Sequence, residues 1–418
     1  MWSRFKFLIN RLGERLWVRP LVFCILSIAG AFIAKWADGF EIGASLPIIT
    51  PESTEALLSV TAASMLVIAT LAVASMVSAY ASAAGSATPR SFSLLIADDT
   101  SQNALSIFMG AFIYSTVALV ALKNDYYETA GHFVLFSITF VVLGVVVITF
   151  VRWVDWIARL GRIGTTIEKV EKAAEASLRR RRLNPALGAL PVSEVDRTGR
   201  PVYGDTIGYV QNINVEALQA WAVEHDITIS VSAVPGTFAC PDRPLAYIEK
   251  TGDNAGEADH ATIVSAFHVG KGRVFDDDPR FGLIALSEIA SRALSPAVND
   301  PGTAIEIVGS FVRLFAGLID PLDESEEKKP AFDRVRIPEL KLGDLLDDAF
   351  RPIARDGAST VEVQIRLQKA LASVAAIGGL SLRSAAAKQS QHALERARVA
   401  LDLQDDVQTV SDAAAWSA

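Results

Sequence analysis

The sequence is poor in charge and in cysteine. Charged residues make up 21% of its 418 positions, whereas soluble domains carry about a quarter, and mean hydropathy is +0.32. Its two cysteines, Cys24 and Cys240, exclude a secreted scaffold built on disulfides. The net charge of −8 excludes a bulk nucleic-acid binder, because such proteins usually contain a basic domain. A membrane protein with a large water-soluble part remains.

The common catalytic motifs are also missing from the sequence. It contains no phosphate-binding Gly-rich loop, no paired histidines of a zinc hydrolase, no Gly-x-Ser-x-Gly elbow and no cysteine pair at metal spacing. We therefore predict no cofactor, no metal and no enzymatic activity. One alternative stays open, because Asp276, Asp277, Asp278 and Glu288 could offer Mg²⁺ the oxygen ligands that it prefers.

Four apolar runs occupy the first third of the chain. Each approaches or exceeds the roughly 20 helical residues that cross a hydrocarbon core about 30 Å thick. Within a bilayer such runs must be helical, because only a helix satisfies its own backbone polar groups. We predict four transmembrane helices. They cover Pro20–Ala37, Ala56–Tyr80, Ala104–Leu122 and Phe133–Val151.

Basic residues flank these runs asymmetrically. Five precede the first run (Arg4, Lys6, Arg11, Arg15 and Arg19), and nine lie between Arg152 and Arg182. Lysine and arginine favour the cytoplasmic side of a membrane. We therefore predict a multi-pass protein of the bacterial inner membrane with both termini in the cytoplasm.

The fold class predicted is an α-helical membrane protein with four transmembrane helices and a C-terminal α+β cytoplasmic domain. Its parts are a transmembrane domain over residues 1–151, a juxtamembrane stem helix over 152–183, a small mostly-β domain over 200–270 and a helical domain over 271–418. Alternating and β-branched residues predict four strands in the third part. They cover Ile207–Ile213, Ile227–Val234, Leu245–Ile248 and Thr262–Val269.

The stem carries an apolar stripe at steps of three and four. It includes Ile157, Leu160, Ile163, Ile167, Val170, Ala174 and Leu178. Two interpretations stay open: the helix packs on its own domain, or it pairs with copies of itself, since the stripe approaches a heptad. The basic cluster Arg179, Arg180, Arg181 and Arg182 ends the helix, and such a cluster near a bilayer can contact anionic lipid.

The second apolar run has hydroxyl residues along one helix face. The face comprises Thr61, Ser64, Ile68, Leu71, Ser75 and Ser78. One interpretation is close packing, because small and hydroxyl residues are favoured where helices approach in lipid. The other is a pore-lining helix, in which Ile68 and Leu71 form a constriction that closes by dewetting.

A dense polar block extends from Arg273 to Ala304. Two Asp-Pro pairs in it, Asp278-Pro279 and Asp300-Pro301, are typical helix starts. One interpretation is therefore two capped helices. The other is a ligand or subunit contact at which six polar side chains converge. They are Arg273, Asp278, Glu288, Arg292, Asn299 and Asp300.

This block resembles a family of bacterial membrane proteins known as domain of unknown function 2254. The matching residues are Arg273, Asp278-Pro279, Phe281-Gly282, Ile289-Ala290, Ala293 to Pro296, Asn299 to Pro301 and Thr303-Ala304, with Arg15-Leu16-Trp17-Val18-Arg19-Pro20 at the amino end. Val274, Asp277 and Glu288 depart from the family pattern. The resemblance implies the four-crossing layout and carries no activity.

Two functions follow as hypotheses. The first is a homo-oligomeric, channel-like protein that passes ions or small solutes, with the second transmembrane helix lining the pore and the cytoplasmic domain assembling or gating it. The alternative is a non-conducting membrane-anchored sensor or scaffold whose cytoplasmic domain binds a ligand or partner. In both cases the expected partners are the lipid bilayer and, for a channel, further copies of the chain. Nucleic acid is not among them.

Overall fold

A computed structural model describes residues 18–39, 49–86, 88–91, 94, 99–159, 162–192, 194–195, 197, 199–250, 260–320 and 330–417. The chain divides into two compact units, Met1–Thr166 and Ile167–Ala418. Four of the basic residues used for orientation, Arg4, Lys6, Arg11 and Arg15, lie outside the described residues, as does the first half of the amino-terminal family motif.

The first unit is a bundle of helices α1 (Val18–Trp36), α2 (Pro51–Ser86), α3 (Asp99–Lys123) and α4 (Thr129–Arg159). Each predicted apolar run lies inside one of these helices, apart from Ala37, and the helices extend up to eight residues beyond the runs. Helix α3 packs against the other three, and Phe108 and Tyr114 on it are buried in two apolar clusters. The Tyr114 hydroxyl lies 3.0 Å from that of Thr139 on α4.

Asp38, just beyond α1, caps the start of α4. Its carboxylate accepts the backbone N–H groups of Glu128 at 3.0 Å and Gly131 at 2.5 Å and pairs with Lys35 at 3.2 Å. A Cβ on Gly131 would lie 2.7 Å from that carboxylate, so the glycine makes the approach possible. These bonds tie one end of α1 to the first turn of α4.

The predicted stem is two helices. Helix α4 ends at Arg159, and α5 (Ile163–Leu183) begins four residues later. The apolar residues Ile167, Val170, Ala174 and Leu178 are buried in a unit that contains a single copy of the chain. Burial there favours packing on the helix's own domain over pairing with other copies, because the stripe has little surface left to offer.

Two sheets lie in the second unit. The five-stranded sheet has the order β1-β8-β4-β6-β2, and the three-stranded sheet has the order β5-β3-β7. Strand β8 is parallel to both β1 and β4, whereas β6 is antiparallel to β4 and β2. The strands are β1 (Ala189–Val192), β2 (Arg200–Tyr203), β3 (Gly208–Ile213), β4 (Ile227–Val231), β5 (Phe238–Ala239), β6 (Pro244–Lys250), β7 (Phe267–Gly270) and β8 (Phe332–Pro338).

The prediction of one strand over Thr262–Val269 is wrong in its first half. Residues His260–Ser265 form a short helix, α7, and only β7 after it is extended. The helix buries Ile263 in the core beneath the sheets, where packing overrides the β-branched residues of Ala261–Val264. Helix α6 (Val215–Glu224) lies between β3 and β4 in the chain.

The remaining helices pack together within the second unit. They are α8 (Pro279–Ala293), α9 (Pro301–Ile319), α10 (Leu342–Asp356), α11 (Val361–Ile377), α12 (Leu380–Ala400) and α13 (Gln404–Ala414). Phe311 and Phe315 of α9 pack on Phe350 of α10, with ring centroids 5.3 and 6.0 Å apart. Helix α12 ends at Ala400, and α13 then buries Val410 and Ala414.

Five described helices are long and apolar enough to cross a membrane. They are α1 to α4 and, in the second unit, α9.

Candidate functional site

Asp278 lies at the N-terminus of α8 and binds Arg273 through both carboxylate oxygens. Arg273 Nε lies 2.6 Å from Oδ2, and Nη2 lies 2.9 Å from Oδ1. The carboxylate also accepts the Arg280 backbone N–H at 3.1 Å, and the side chain of Asp278 is only 1% exposed. The Arg273 guanidinium also lies over the Phe281 ring, 5.5 Å from its centroid. All these bonds fix the start of α8, so the pair acts as a structural cap.

Gly236 lets the chain pass close to this cap. Its φ is +92°, a conformation that favours glycine, and a Cβ there would lie 2.5 Å from Asp278 Oδ2. The turn before β5 therefore closes over the carboxylate. Its closeness explains in part why Asp278 is so deeply buried.

Arg181 of α5 lies near enough to Asp277 and Asp278 to interact with their charges. The sequence did not predict that this charged residue is buried. The residue is 6% exposed, and within the described residues its Nε and Nη1 have no hydrogen-bond acceptor. Burial lowers the pKa of Arg181, and the charges of Asp277 and Asp278 oppose that shift. A buried cation is costly unless it is paired, so these two carboxylates are its electrostatic support.

Because Arg181 is buried, it is not available for the lipid contact that the sequence predicts for this basic cluster, and contact through the other three residues stays a prediction. Arg180 Nε donates to the Asp276 carbonyl oxygen at 3.0 Å, and Arg182 Nη1 donates to that of Gly317 at 2.8 Å. Arg179 is exposed. Three of the four side chains therefore serve the second unit's own structure.

The other four candidates of the polar block lie at the opposite end of α8. Asp300 caps α9, accepting the Thr303 N–H at 3.1 Å and its hydroxyl at 2.6 Å. These bonds hold the pKa of Asp300 below its usual range. Asn299 has a φ of +50° in the turn, Arg292 is exposed and Glu288 is half-buried.

The predicted convergence of these six residues is therefore not what the fold produces. Asp278 and Arg292 are fourteen residues apart on one helix, about 21 Å at 1.5 Å per residue. The block forms two separate helix starts, each with its own carboxylate. This arrangement agrees with the interpretation as two capped helices.

The predicted pore face of α2 is divided. Thr61 is buried, and Ile68 packs on the apolar cluster around Phe108. Leu71, by contrast, is 54% exposed. Ser64 and Ser75 are half-buried, and Ser78 is exposed.

Two hydroxyls of this face bond within their own helix. Thr61 Oγ1 donates to the Leu57 carbonyl at 2.7 Å, and Ser64 Oγ donates to that of Val60 at 2.6 Å. Such back-bonding is ordinary for hydroxyl residues in helices. The amino-terminal half of this face, from Thr61 to Ile68, is thus occupied by bonds and contacts within the first unit.

A groove that the sequence did not reveal lies between α10 and α12. Its volume is about 650 Å³, and we call it the basic groove. It is lined by Arg351, Arg355, Ala358, His392, Glu395, Arg396 and Val399. The available signal was two basic pairs at i,i+4 spacing, Arg351 with Arg355 and His392 with Arg396, whose proximity depends on the packing of two distant helices.

In the described part of the chain, no three His, Cys, Asp or Glu side chains are grouped so that they could hold a metal ion. Asp277, one of the acids considered for Mg²⁺, accepts a hydrogen bond from Asn212 Nδ2 at 2.7 Å.

Comparison with known proteins finds one family and a few relatives. The family model described as predicted membrane protein (DUF2254) matches residues 13–373. Uncharacterized proteins of Mycobacterium tuberculosis (MT1328 and Rv1290c) and Mycobacterium bovis (Mb1321c) are 31% identical over 111 residues, which is 26% of this chain. The matched part spans about a fifth of those relatives' length (21%). No solved structure matches the chain.

Proposed function

We propose, from the premise that the chain belongs to the DUF2254 family of predicted membrane proteins, that it crosses the bacterial inner membrane four times, through α1 to α4. Residues 167–418 and both termini would then be cytoplasmic, in keeping with the basic residues that flank the apolar runs. The alternative is a fifth crossing through α9, which is long and apolar enough.

The five-stranded sheet argues against a crossing at α9. Strand β8 follows α9 in the chain, yet it is hydrogen-bonded to β1 and β4, which both precede α9. Neighbouring strands of one sheet must share a compartment, so a bilayer between them is impossible. Arg313 on α9 also pairs with Glu171 of α5 at 2.6 Å. These contacts support α9 as a core helix of the second unit.

Cysteine labelling tests this topology. In a chain with Cys24→Ser and Cys240→Ser, we place one cysteine before α9 (Asp242→Cys) or after it (Glu339→Cys), at exposed positions. A membrane-impermeant maleimide should label neither variant in spheroplasts and both after permeabilisation. Labelling of only one variant in intact spheroplasts would show that α9 crosses the membrane.

For the biochemical role we favour a non-conducting, membrane-anchored sensor or scaffold. The supporting observation is α5, which begins four residues after the end of α4 and has Ile167, Val170 and Ala174 buried in the second unit. In this proposal, a ligand-induced change in the second unit moves α5 and reaches α4 through the short stretch of chain that joins the two helices.

Two measurements test the sensor. Purified protein in planar bilayers should pass no current, and a metabolite panel should contain a ligand that raises its melting temperature and slows amide exchange in α5. Current in the wild type, or a ligand that stabilises the protein without any change in α5, would count against it.

A channel is the second candidate, supported by the part of the predicted pore face that is not packed. Leu71 and Ser78 of α2 face outward, and in a homo-oligomer they would be free to line a shared axis. Leu71→Ser should then enlarge the current, because it removes the apolar constriction. Val73→Ser is the matched control, since Val73 is exposed on another side of α2.

A further inference from the structure

The basic groove has two walls, each carrying two basic side chains one helical turn apart. Arg351 and Arg355 lie on α10, and His392 and Arg396 lie on α12. Residues at i and i+4 share a helix face, so all four side chains border the same space. The concentration of cations stands out in a chain whose net charge is −8.

Carboxylates behind the groove hold two of these guanidinium groups in place. Asp356 accepts Arg355 Nε at 2.6 Å and Nη2 at 2.9 Å, and Asp347 accepts an N–H of Arg351. A guanidinium has five N–H donors, so both arginines keep donors for a ligand. Side chains that are already oriented lose less entropy on binding.

Arg396 is the cation with the least compensation. Within the described part of the chain it has no carboxylate within 4 Å, although the charge of Asp356 acts on it at longer range. Glu395 is the acidic side chain that lines the groove itself. The lining carries three arginines and one glutamate, and Asp347 and Asp356 pair with two of these arginines, which leaves Arg396 as the arginine without such a pair.

We propose that the basic groove binds a phosphate-bearing ligand. The planar fork of arginine matches phosphate oxygens in pairs, and about 650 Å³ falls within the range of small-molecule sites. Ala358 and Val399, the latter 90% exposed, supply an apolar part for the rest of the ligand. The phosphate can belong to a soluble molecule or to a lipid headgroup. The proposal names the ligand class of the proposed sensor and rests on it for the groove's cytoplasmic position.

The test uses the full chain in phosphatidylcholine nanodiscs and titrates inorganic pyrophosphate by calorimetry. Arg396→Gln should weaken binding about tenfold, the loss expected for one charge-assisted hydrogen bond. Glu395→Gln should tighten it about threefold, because a like charge is removed. Arg398→Gln is the matched control: it lies on the same helix, is exposed and is not part of the groove lining.

A second arm distinguishes the two phosphate sources. If the source is a lipid headgroup, nanodiscs containing phosphatidic acid should raise the melting temperature of the wild type, and Arg396→Gln should abolish that gain. A response in either arm with this pattern of variants supports the groove. No response in both arms, or equal effects of Arg396→Gln and Arg398→Gln, overturns the proposal.

Amide exchange on the same samples separates this proposal from the sensor function. Binding that depends on Arg396 but leaves amide exchange in α5 unchanged would support the phosphate site and contradict the sensor function. Absence of binding would contradict the phosphate site, while the metabolite panel would still test the sensor function.

Discussion

Replacing Asp278 with alanine should destabilise the second unit by about 3–5 kcal/mol, the range for breaking a buried ion pair by removing one partner. The carboxylate is 1% exposed and binds Arg273 through both oxygens. Its negative charge also compensates the buried positive charge of Arg181. The Nε and Nη1 atoms of Arg181 have no acceptor within the described residues. Loss of the α8 cap alone costs about 1 kcal/mol, so most of the expected loss comes from the two arginines.

The measurement is chemical denaturation of the full chain in detergent, followed by amide exchange in the first turn of α8. Asp300→Ala is the control: Asp300 also caps a helix, but no ion pair joins it within the described part of the chain, and about 1 kcal/mol is expected. Asp278→Asn, which keeps an acceptor but loses the charge, should fall between them. Equal losses for Asp278→Ala and Asp300→Ala would refute the role assigned to the buried charges.

Three further predictions concern other contacts. Gly282→Ala should cost about 1–3 kcal/mol through overpacking, because its Cβ would collide with Ala174. Ala174→Gly in the same chain should restore only part of this loss in thermal melts, because the Cα of residue 174 would still lie 2.8 Å from the new Cβ. The lowered pKa of Asp300 adds stability above the usual Asp value of about 3.9. That stability is lost as pH falls through the lowered value, so Asp300→Asn should flatten this part of a denaturation series from pH 2 to 6. Asp38→Ala should speed amide exchange at the start of α4 by about fivefold, for a cap worth about 1 kcal/mol, and a change no larger than that of Asp125→Ala would contradict it.

The four apolar runs were predictable because hydropathy is a local property. Each run had to be a helix in lipid, and each, apart from Ala37, lies inside one helix whose ends extend up to eight residues beyond it. The break after Arg159 was not predictable, because Arg152–Leu183 contains no proline and keeps its apolar period throughout. The fold places α5 from Ile167 onward in the second compact unit, and this placement depends on contacts with residues more than 90 positions away, such as the contact between Arg180 and Asp276.

The two helix starts at Asp278 and Asp300 were likewise predictable from the sequence, since a capping aspartate followed by proline is a local signal. Whether the polar residues between them converge depends on the length of α8, which keeps Arg292 far from Asp278. The basic groove depends on contacts between residues still farther apart in the sequence, because its two walls lie about 40 positions apart in the chain. Periodicity predicts each wall but cannot predict that they face each other.

Strand β8 shows the same limit and gives a direct test of the sheet. It lies between β1 and β4, though about 140 residues separate it from β1 and about 100 separate it from β4 in the chain. Val335 is fully buried and is paired with Ile229 of β4. Val335→Asp buries an unpaired charge and should therefore remove amide protection from β1 and β4 as well as from β8. Lys341→Asp, at an exposed position after the strand, should leave all three protected. Protection of β4 that survives Val335→Asp would contradict the pairing on which the four-crossing topology depends.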